Sequence, residues 1–373
     1  MNAYEKLNSL NERCKLIFDI IQKHGPITKN ELIDRTKMKL TTLNRDIQLL
    51  LDRTLILEKA IGESTGGRKP VLFDINPYGL YSVGVDISRM YIQIVIIDLK
   101  AKIIGEKIIY DLTNYKDTIT KTISELCDNL KINKDMLIGI GIGIYEGIQI
   151  DELQIALNKQ FEIPIYVENG SNAAVIGEYF FGLGKDKENL AYINCGVGIR
   201  TGVISKGVLI RTINNSEDAL AHMIVDTDGE PCFCGNLGCV EAYASIEKIR
   251  DKFIASIENV DLNKVDYNYI IKLSESGNET AINILLTAAK HFGIGLANYI
   301  RLLNPQLIIL SGPLVKDSKL FFEESIKVAM DKCGIKNNNV VFERGGYFFN
   351  KSIAVGAAVI VFESSLTNYK SIS

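Results

Sequence analysis

The order of apolar segments after residue 80 is the feature that most restricts the fold of this 373-residue chain. Three consecutive strand-like segments are separated by short polar breaks, which predicts an antiparallel meander: LYSVGVDIS, YIQIVIIDL and KIIGEKIIYDL. Helix-like and strand-like segments then alternate: DTITKTISELCDNLK, LIGIGIGIY, FEIPIYV and SNAAVIGEYFFG. A second meander begins at AYINCGVGIRTGVISKGVLI and is followed by helices, PQLIILSG and SIAVGAAVIVFES. Two successive units of this kind predict a duplicated α/β architecture with a ligand cleft between two lobes.

The segment VENGSN at residues 167–172 is a candidate edge of that cleft. It follows the strand-like FEIPIYV, and we interpret it as a loop at the C-terminal end of a strand. A carboxylate, a carboxamide and small polar side chains are typical of ligand sites at such positions in α/β proteins. Asn169 is therefore a candidate ligand-binding residue, and a helix cap before SNAAVIGEY is the alternative interpretation.

Length and composition indicate more than one domain. With 47% hydrophobic and 23% charged side chains, 373 residues can bury substantial cores, so two or three globular units are expected. Residues 1–10 lack the pattern of a secretory signal, and we expect no apolar run to be long enough to span a bilayer. We therefore expect a cytoplasmic protein without a membrane partner.

Charge is unevenly distributed along the chain. Residues 1–79 carry 13 Lys and Arg against 10 Asp and Glu, whereas the remainder carries 29 against 35. A mildly basic N-terminal segment on an acidic body is compatible with a nucleic-acid-binding module. This small surplus of positive charge is weak evidence for nucleic-acid binding unless a sequence pattern supports it.

The first 60 residues supply a pattern of three helices. In NERCKLIFDIIQKHG, apolar side chains at positions 14, 17, 18 and 21 form one helix face that ends at Gly25. A second helix is predicted directly afterwards, because Thr28 and Glu31 fit a capping box. After a short turn, a third apolar face is formed by Leu43, Ile47, Leu50 and Leu51.

Polar side chains of the kind that contact phosphates and base edges lie between the apolar positions of the third helix: Thr41, Thr42, Asn44, Arg45 and Gln48. Two strand-like segments follow, LILEKA and VLFDI, joined by IGESTGGRKP with Gly66 and Gly67 at its tip. Arg68 and Lys69 at this tip can meet phosphates or enter a minor groove. The pattern predicts a winged helix-turn-helix over residues 1–79, with a helical packing or dimerisation module as the alternative.

Three of the seven cysteines are concentrated in one segment, HMIVDTDGEPCFCGNLGCVE. One imidazole and three thiolates form a complete tetrahedral set for structural zinc, with no open position for a catalytic water. These ligands would be His222, Cys232, Cys234 and Cys239. A disulfide is the alternative, but a cytoplasmic location disfavours it and one of the three thiols would be left over. The other four cysteines are interpreted as small buried residues: Cys14, Cys127, Cys195 and Cys333.

The segment CFCGNLGCVEAY resembles the zinc-loop signature of the ROK family (repressors, open reading frames, kinases), with His222 at the family's histidine position. GVDIS resembles the first phosphate loop, VENGSNAA the segment of the kinase base, NCGVGIRTG the second phosphate loop and LSGPLV the adenosine-side loop. The N-terminal segment resembles the repressor branch, similar to xylose and N-acetylglucosamine repressors.

The resemblance implies an α/β fold with two parts. The first is the N-terminal winged helix-turn-helix, residues 1–79. The second is a two-lobed actin-like body of the ribonuclease H-like, sugar kinase type, with lobes at residues 80–189 and 190–373. The C-terminal helix is expected to be able to pack back on the first lobe.

Departures from the family pattern argue against kinase activity. Kinases of this family have an aspartate after the asparagine of the base segment, whereas this chain has Gly170, which cannot act as a general base. Ser88 replaces a glycine of the first phosphate loop, and Met90 stands near an expected threonine. Arg200 takes a glycine position of the second loop, where its side chain would obstruct a backbone cradle for phosphate. No catalytic residue is therefore assigned, and an ATP-dependent hexose kinase is the alternative function.

The resemblance also identifies candidate ligand contacts. Positions that contact sugar hydroxyls in sugar-binding family members are retained at Asn169, His222 and Glu241, whereas Ala219 replaces a glutamate. The connection between residues 148 and 160 is expected to be short and to lack further contacts. Each lost hydrogen bond costs about 0.5–1.5 kcal/mol, so binding of an ordinary aldose would be weakened.

These features together predict a DNA-binding transcriptional regulator, a repressor of carbohydrate-metabolism genes such as those for xylose. Its expected partners are double-stranded operator DNA and a second copy of the chain, in a dimer or tetramer. The candidate effector is a sugar, a modified sugar or a sugar phosphate paired with Arg200, and control by a protein partner is the alternative. Zinc is the expected structural cofactor.

Overall fold

The computed structural model describes residues 2–60, 71–145, 148, 150–211, 218–257, 265–334 and 339–366. The chain folds into two compact units. The first comprises Met1–Ala173 and Ile353–Ser373, and the second comprises Ala174–Ser352.

The first unit begins with a helical head and a small sheet. Its helices are α1 (Ala3–Asn8), α2 (Glu12–His24), α3 (Lys29–Thr36) and α4 (Leu40–Asp52), and its strands are β1 (Ile27–Thr28), β2 (Ile56–Ala60) and β3 (Val71–Ile75). The strands pair antiparallel in the order β1-β3-β2. The short elements α1 and β1 were not predicted, because six polar-rich residues and two residues give no periodic apolar signal. The connection between β2 and β3, which carries the predicted wing tip with Arg68 and Lys69, lies outside the described residues.

The predicted apolar faces of the head are confirmed. All four predicted core positions of α2 are fully buried, and Leu43, Ile47 and Leu50 of α4 are buried as well, whereas Leu51 is only half-buried. Thr28 and Glu31 form the predicted capping box at the start of α3.

A five-stranded sheet follows the head in the same unit. Its strands are β4 (Tyr81–Ile87), β5 (Ile92–Asp98), β6 (Ile103–Ile109), β7 (Leu137–Ile144) and β8 (Ile165–Asn169), in the order β6-β5-β4-β7-β8. The predicted meander is confirmed, since β4, β5 and β6 pair antiparallel, while β7 and β8 continue the sheet in parallel. The helices of this part are α5 (Tyr115–Leu130) and α6 (Asp151–Phe161). Helix α7 (Gly170–Phe181) begins in the first unit, and its residues from Ala174 onward belong to the second.

Two interpretations of this part of the chain are wrong. The expected short connection before residue 161 contains helix α6, because Leu153, Leu157 and Phe161 repeat at helical spacing and are buried on one face. VENGSN is not a loop, because β8 ends at Asn169 and α7 begins at Gly170 without an intervening residue.

The second unit contains another five-stranded sheet. Its strands are β9 (Leu190–Cys195), β10 (Ile199–Ser205), β11 (Val208–Ile210), β12 (Leu307–Ser311) and β13 (Val341–Arg344), in the order β11-β10-β9-β12-β13. The second predicted meander is confirmed by antiparallel pairing of β9, β10 and β11. The helices are α8 (Glu241–Ala244), α9 (Ile246–Ala255), α10 (Tyr267–Glu275), α11 (Glu279–Leu303), α12 (Pro313–Asp317) and α13 (Lys319–Cys333).

The last helix, α14 (Ser352–Leu366), packs closely on the sheet of the first unit. A Cβ at Gly84 would lie 1.9 Å from the carbonyl oxygen of Ala354, and one at Gly141 would lie 1.8 Å from that of Ala357. Only glycine permits such an approach of a helix backbone to a strand. The alternating glycines of LIGIGIGIY therefore belong to a buried strand and make room for α14.

Two contacts connect the head to the turn between β5 and β6. Gln22 of α2 donates a hydrogen bond from Nε2 to the carbonyl oxygen of Leu99 (2.8 Å), and Lys100 Nζ pairs with Asp74 Oδ2 of β3 (2.7 Å). Lys59 of β2 pairs with the same carboxylate oxygen. Asp74 is 1% exposed, so the head is joined to the sheet by a buried charged contact.

Two helical stretches are long and apolar enough to cross a membrane by length and composition, Glu279–Leu303 and Phe349–Leu366. The sequence-based expectation that no stretch would meet this test is therefore wrong. Half of the first window and 72% of the second are buried inside the protein, which is typical of core helices in a globular fold.

Candidate functional site

Helix α4 presents the predicted DNA-contacting side chains on one face. Its apolar positions face the core of the head, so the polar positions between them face outward. Thr41, Asn44, Arg45 and Gln48 are exposed and Thr42 is half-buried. The structure therefore brings together all five predicted residues of this helix.

The N-terminal end of α4 adds positive charge that sequence patterns did not single out. Lys37 and Lys39 are exposed beside it, and Lys39 is the N-cap residue without a side-chain cap. No acidic residue lies in the first turn of α4, so the positive end of its dipole is not neutralised locally. In the sequence, two lysines directly before a polar helix are the signal from which this positive charge could have been predicted.

Asp46 is a buried acidic residue of the same helix, and its carboxylate contacts two arginines. It is 2% exposed and accepts a hydrogen bond from Arg13 Nε of α2 (2.8 Å) on one oxygen. Arg45 Nε lies 3.4 Å from the other oxygen, while its side chain stays 69% exposed. Arg45 thus contacts Asp46 through Nε of its guanidinium, while most of the side chain stays open to solvent, as contact with a phosphate or a base edge requires.

The four predicted metal ligands lie in one cluster of the second unit. Their ligand atoms all lie within 4.8 Å of one another: His222, Cys232, Cys234 and Cys239. Cys232 Sγ is 3.6 Å from His222 Nδ1, and Cys234 Sγ is 3.7 Å from Cys239 Sγ. A tetrahedral zinc ion separates its ligand atoms by roughly 3.3–3.8 Å, as its bond lengths of about 2.0–2.3 Å require. The donor set and spacing therefore fit zinc.

The segment around these ligands can turn tightly because of two glycines. Gly235 and Gly238 have positive φ angles of 94° and 69°. A Cβ at Gly238 would lie 1.5 Å from the carbonyl oxygen of Asp226, so no other residue fits there. The Cys232 carbonyl accepts from the Gly235 N–H (3.0 Å), which closes the turn between the first two thiols.

His222 is oriented by neighbours outside the ligand set. Its Nε2 lies 3.3 Å from Asp218 Oδ2, and Phe233 packs edge-on against the ring at a centroid distance of 5.1 Å. A carboxylate on the far ring nitrogen fixes the orientation of the imidazole. Nδ1 is therefore directed at the thiols.

The thiols differ in their environments. Burial raises the pKa of Cys239 to about 12, whereas the backbone N–H of Asn236 is the main cause of a lowered pKa for Cys234. A divalent cation supplies the charge that stabilises such thiols as thiolates. The other four cysteines are all buried, as predicted.

The candidate ligand contacts divide between the two units. Asn169 is nearly buried at the end of β8 in the first unit, and its backbone N–H donates to Glu168 Oε1 (3.0 Å). His222 and Glu241 lie together in the second unit, because the Glu241 N–H donates to the Ala221 carbonyl (2.9 Å). Gly170 is the first residue of α7 and packs against Ile353, and a Cβ there would lie 3.3 Å from Ile353 Cδ1.

Glu241 is already engaged by protein donors. Its Oε2 accepts hydrogen bonds from the Ile199 N–H (3.1 Å) and from Arg200 Nη1 (3.2 Å). Arg200 and Glu241 have side chains only 16% and 8% exposed. Sequence reasoning placed both residues near a ligand but missed this contact, because they are 41 positions apart.

The first phosphate-loop segment is closed by its own hydrogen bonds. Ser88 Oγ accepts from the Met90 and Tyr91 N–H groups (3.3 and 3.1 Å) and donates to the Tyr91 carbonyl (2.8 Å). Backbone N–H groups that could cradle phosphate are therefore occupied within the turn.

A cavity of about 450 Å³ lies beside this turn in the first unit, where α5 and α6 begin. Apolar side chains such as Ile92 and Leu112 line it together with Tyr115 and Tyr145. An ion pair between Lys116 and Glu152 lies at its wall. No sequence motif indicated this cavity, because it is formed by side chains from separate elements.

Comparison with known proteins gives consistent results. A family model described as ROK family matches residues 82–363. The xylose repressor of Bacillus subtilis (strain 168) is 30% identical over 320 residues, which cover 81% of this chain and 82% of the relative. The DNA-binding transcriptional dual regulator NagC of Escherichia coli (strain K12) is 24% identical over 82% of this chain and 81% of its own length.

Solved structures share the fold. A ROK family transcriptional regulator described as a homolog of the E. coli MLC protein covers 97% of both chains with a TM-score of 0.78 at 20% identity. A ROK family glucokinase from Streptomyces griseus, in complex with glucose and AMPPNP, has a TM-score of 0.62 at 21% identity. The glucokinase match covers 98% of that enzyme but 75% of this chain.

Proposed function

The chain belongs to the ROK family, and from this premise we propose that it is a DNA-binding transcriptional repressor of carbohydrate-metabolism genes. Relatives named xylose repressor and NagC, which align with about four-fifths of the chain, support this function. The observation that carries the proposal is the outward polar face of α4, with Arg45 braced by Asp46 and two lysines at the helix N-terminus.

The head, residues 1–79, binds an operator half-site in this proposal. Helix α4 lies in the major groove, where Asn44, Arg45 and Gln48 contact bases and phosphates. Thr41 and Thr42 contact the backbone near the helix start, and the wing residues Arg68 and Lys69 reach an adjacent groove. Two copies of the chain, alone or within a tetramer, supply two heads for a two-fold operator.

The body, residues 80–373, serves as an effector and dimerisation domain rather than a kinase. Gly170 provides no general base, and hydrogen bonds within the turn of Ser88 occupy the N–H groups of one phosphate loop. Arg200 occupies the other loop. A sugar or sugar phosphate, for which Asn169 in the first unit and His222 and Glu241 in the second unit are each candidate contacts, would favour an arrangement of the body in which the heads no longer match the operator.

His222, Cys232, Cys234 and Cys239 would hold a structural zinc ion. The ion would stabilise the segment that precedes α8, in which Glu241 is the first residue. Four protein ligands leave no position for a catalytic water, so the ion would supply rigidity only. The proposed location is the cytoplasm, where transcription takes place and thiols stay reduced.

The test is fluorescence anisotropy of labelled DNA from the region upstream of the protein's own gene, titrated with protein at a stated salt concentration. We expect sequence-selective binding that Arg45→Ala weakens by about 5- to 150-fold, equivalent to the roughly 1–3 kcal/mol of one base or phosphate contact. Arg301→Ala removes an exposed arginine from α11 in the second unit and is the matched control. Equal affinity of all three proteins would contradict the proposal.

A further inference from the structure

We propose that Leu40 contacts the 5-methyl group of a thymine in the operator, so that it helps to determine which DNA sequence the head binds. This inference rests on the proposed function, DNA binding through α4, and it deepens that function by naming a group on the DNA that the helix recognises. Sequence patterns singled out only polar residues of α4, because a lone leucine at a helix start gives no signal for a contact with DNA.

Leu40 is an apolar side chain that the fold leaves exposed. It is the first residue of α4 and is 52% exposed, whereas Leu43 and Leu50 of the same helix are fully buried. All other exposed residues of α4 are polar. A single exposed leucine is common on protein surfaces and by itself indicates nothing. The argument therefore depends on where Leu40 lies on the helix.

The N-terminal end of α4 is the part of the helix that enters the major groove in this proposal. In helix-turn-helix proteins, the N-terminal residues of the recognition helix contact base edges. Side chains of a helix lean towards its N-terminus, so Leu40 extends beyond the first turn. Lys37 and Lys39 are exposed beside it and would meet the phosphates that border the groove. Leu40 is thus placed to reach the bases between them.

The charges at the two ends of α4 support this orientation. The first turn contains no acidic residue, whereas the last turn contains no basic residue and carries the exposed Asp52. Asp52 accepts a hydrogen bond from Gln48 Nε2 (2.8 Å), so the amide nearest the C-terminal end is already engaged within the helix. Because phosphates repel Asp52 and attract the two lysines, the end with Leu40 approaches the DNA more closely.

Thymine is the base that an exposed leucine can recognise. Its 5-methyl group is the apolar feature that distinguishes it in the major groove, and apolar side chains contact this group. Leu40 offers no side-chain donor or acceptor, so the polar edges of the other bases find no partner there. Removal of one buried group of the size of a methyl lowers affinity about fourfold.

The test uses deoxyuridine, which pairs with adenine as thymidine does but lacks the 5-methyl group. A short duplex that binds the full-length protein is selected from random-sequence DNA, and each of its thymines is replaced in turn. Fluorescence anisotropy at one salt concentration measures the affinity of each duplex. For the native protein, we expect a thymine position at which replacement weakens binding about fourfold for each half-site.

Variants of the protein assign this methyl contact to a side chain. Leu40→Ala should bind the thymine duplex about fourfold more weakly than the native protein and should no longer distinguish thymine from uracil at that position. Leu40→Met keeps an apolar side chain and should keep the distinction. Leu16→Ala removes a leucine of similar exposure (45%) from α2 and is the matched control, which should behave as the native protein does. Combining changes in protein and DNA separates the contact from a general effect on folding.

Two results would overturn the inference alone. They are sequence-selective binding by the native protein that no replacement by deoxyuridine weakens, and a Leu40→Ala variant that keeps the native sensitivity to the methyl group. Failure to select any sequence-specific duplex would instead refute the proposed function, and this inference with it. The two failures are therefore distinguishable.

Discussion

The contact between the head and the sheet of the first unit gives a prediction that can be worked out from its geometry. Lys100→Met removes the charge that reaches Asp74 of β3 from the turn between β5 and β6. Asp74 is 1% exposed and then keeps only Lys59, which belongs to the head itself. The remaining link described between this turn and α2 is the hydrogen bond from Gln22 to Leu99.

The expected cost is moderate. A hydrogen bond to a charged group contributes about 1.5–3 kcal/mol. The Lys100 side chain is 36% exposed, so solvent screening reduces this to about 1–1.5 kcal/mol. Burial raises the pKa of the Asp74 carboxyl, but hydrogen bonds from Lys100 and Lys59 outweigh burial and leave its pKa below the ordinary value.

The lowered pKa fixes the sign of the pH dependence. A carboxyl with a folded-state pKa below its unfolded value of about 3.9 stabilises the fold above that pH, and this contribution is lost as pH falls through the folded-state pKa. The difference between native protein and Lys100→Met should therefore be constant at neutral pH and shrink only below about pH 4.

Native-state hydrogen exchange measured by mass spectrometry is the suitable assay, because it reports local opening of β3 and α2. At about pH 7, Lys100→Met should speed exchange of these amides about 5- to 13-fold, the equivalent of about 1–1.5 kcal/mol. Lys102→Met removes an exposed lysine from the same turn and is the matched control. Unchanged exchange in Lys100→Met, or equal acceleration in Lys102→Met, would refute the reasoning.

Two further predictions concern the candidate metal centre and the kinase alternative. Cys234→Ser should carry less than one zinc per chain by elemental analysis. The control Cys127→Ser, which removes a buried thiol from α5, should keep one zinc. Full metal content in Cys234→Ser would contradict the ligand set. Gly170→Asp should give no ADP from ATP and a hexose, because the added carboxylate restores a base but not the phosphate loops. Turnover by this variant would show that Ser88 and Arg200 do not block nucleotide.

Elements with a strong apolar period were predictable from sequence. Strands β4 and β5 were predictable from continuous apolar runs bounded by polar breaks, since both are buried along almost their whole length. The faces of α2 and α4 follow from apolar positions that repeat about every 3.6 residues, and the capping box at Thr28 is a local signal. Helix α6 has such a period too, at Leu153, Leu157 and Phe161, but comparison with a longer family loop led us to interpret the segment as a connection. The apolar period of this segment was therefore a better predictor of its structure than the family resemblance.

Contacts between distant parts of the chain could not be predicted in the same way. Gly141 is confined by Ala357 of α14, and Glu241 is held by Arg200, because the fold brings together residues that no local pattern relates. The candidate metal ligands are the exception, since thiols and an imidazole close in sequence indicate their own chemistry. The candidate site residues could therefore be predicted from the sequence. The hydrogen bonds that already occupy the Glu241 carboxylate could be identified only from the structure.

The central claim is that the protein represses transcription by binding DNA through α4. Transcript levels of the genes adjacent to its own gene test this most directly, in cells that contain the native protein, the Arg45→Ala variant or no protein. Repression by the native protein, lost to the same extent in the other two strains, is the predicted result. Unchanged transcript levels in the three strains, or full repression by Arg45→Ala, would contradict the account.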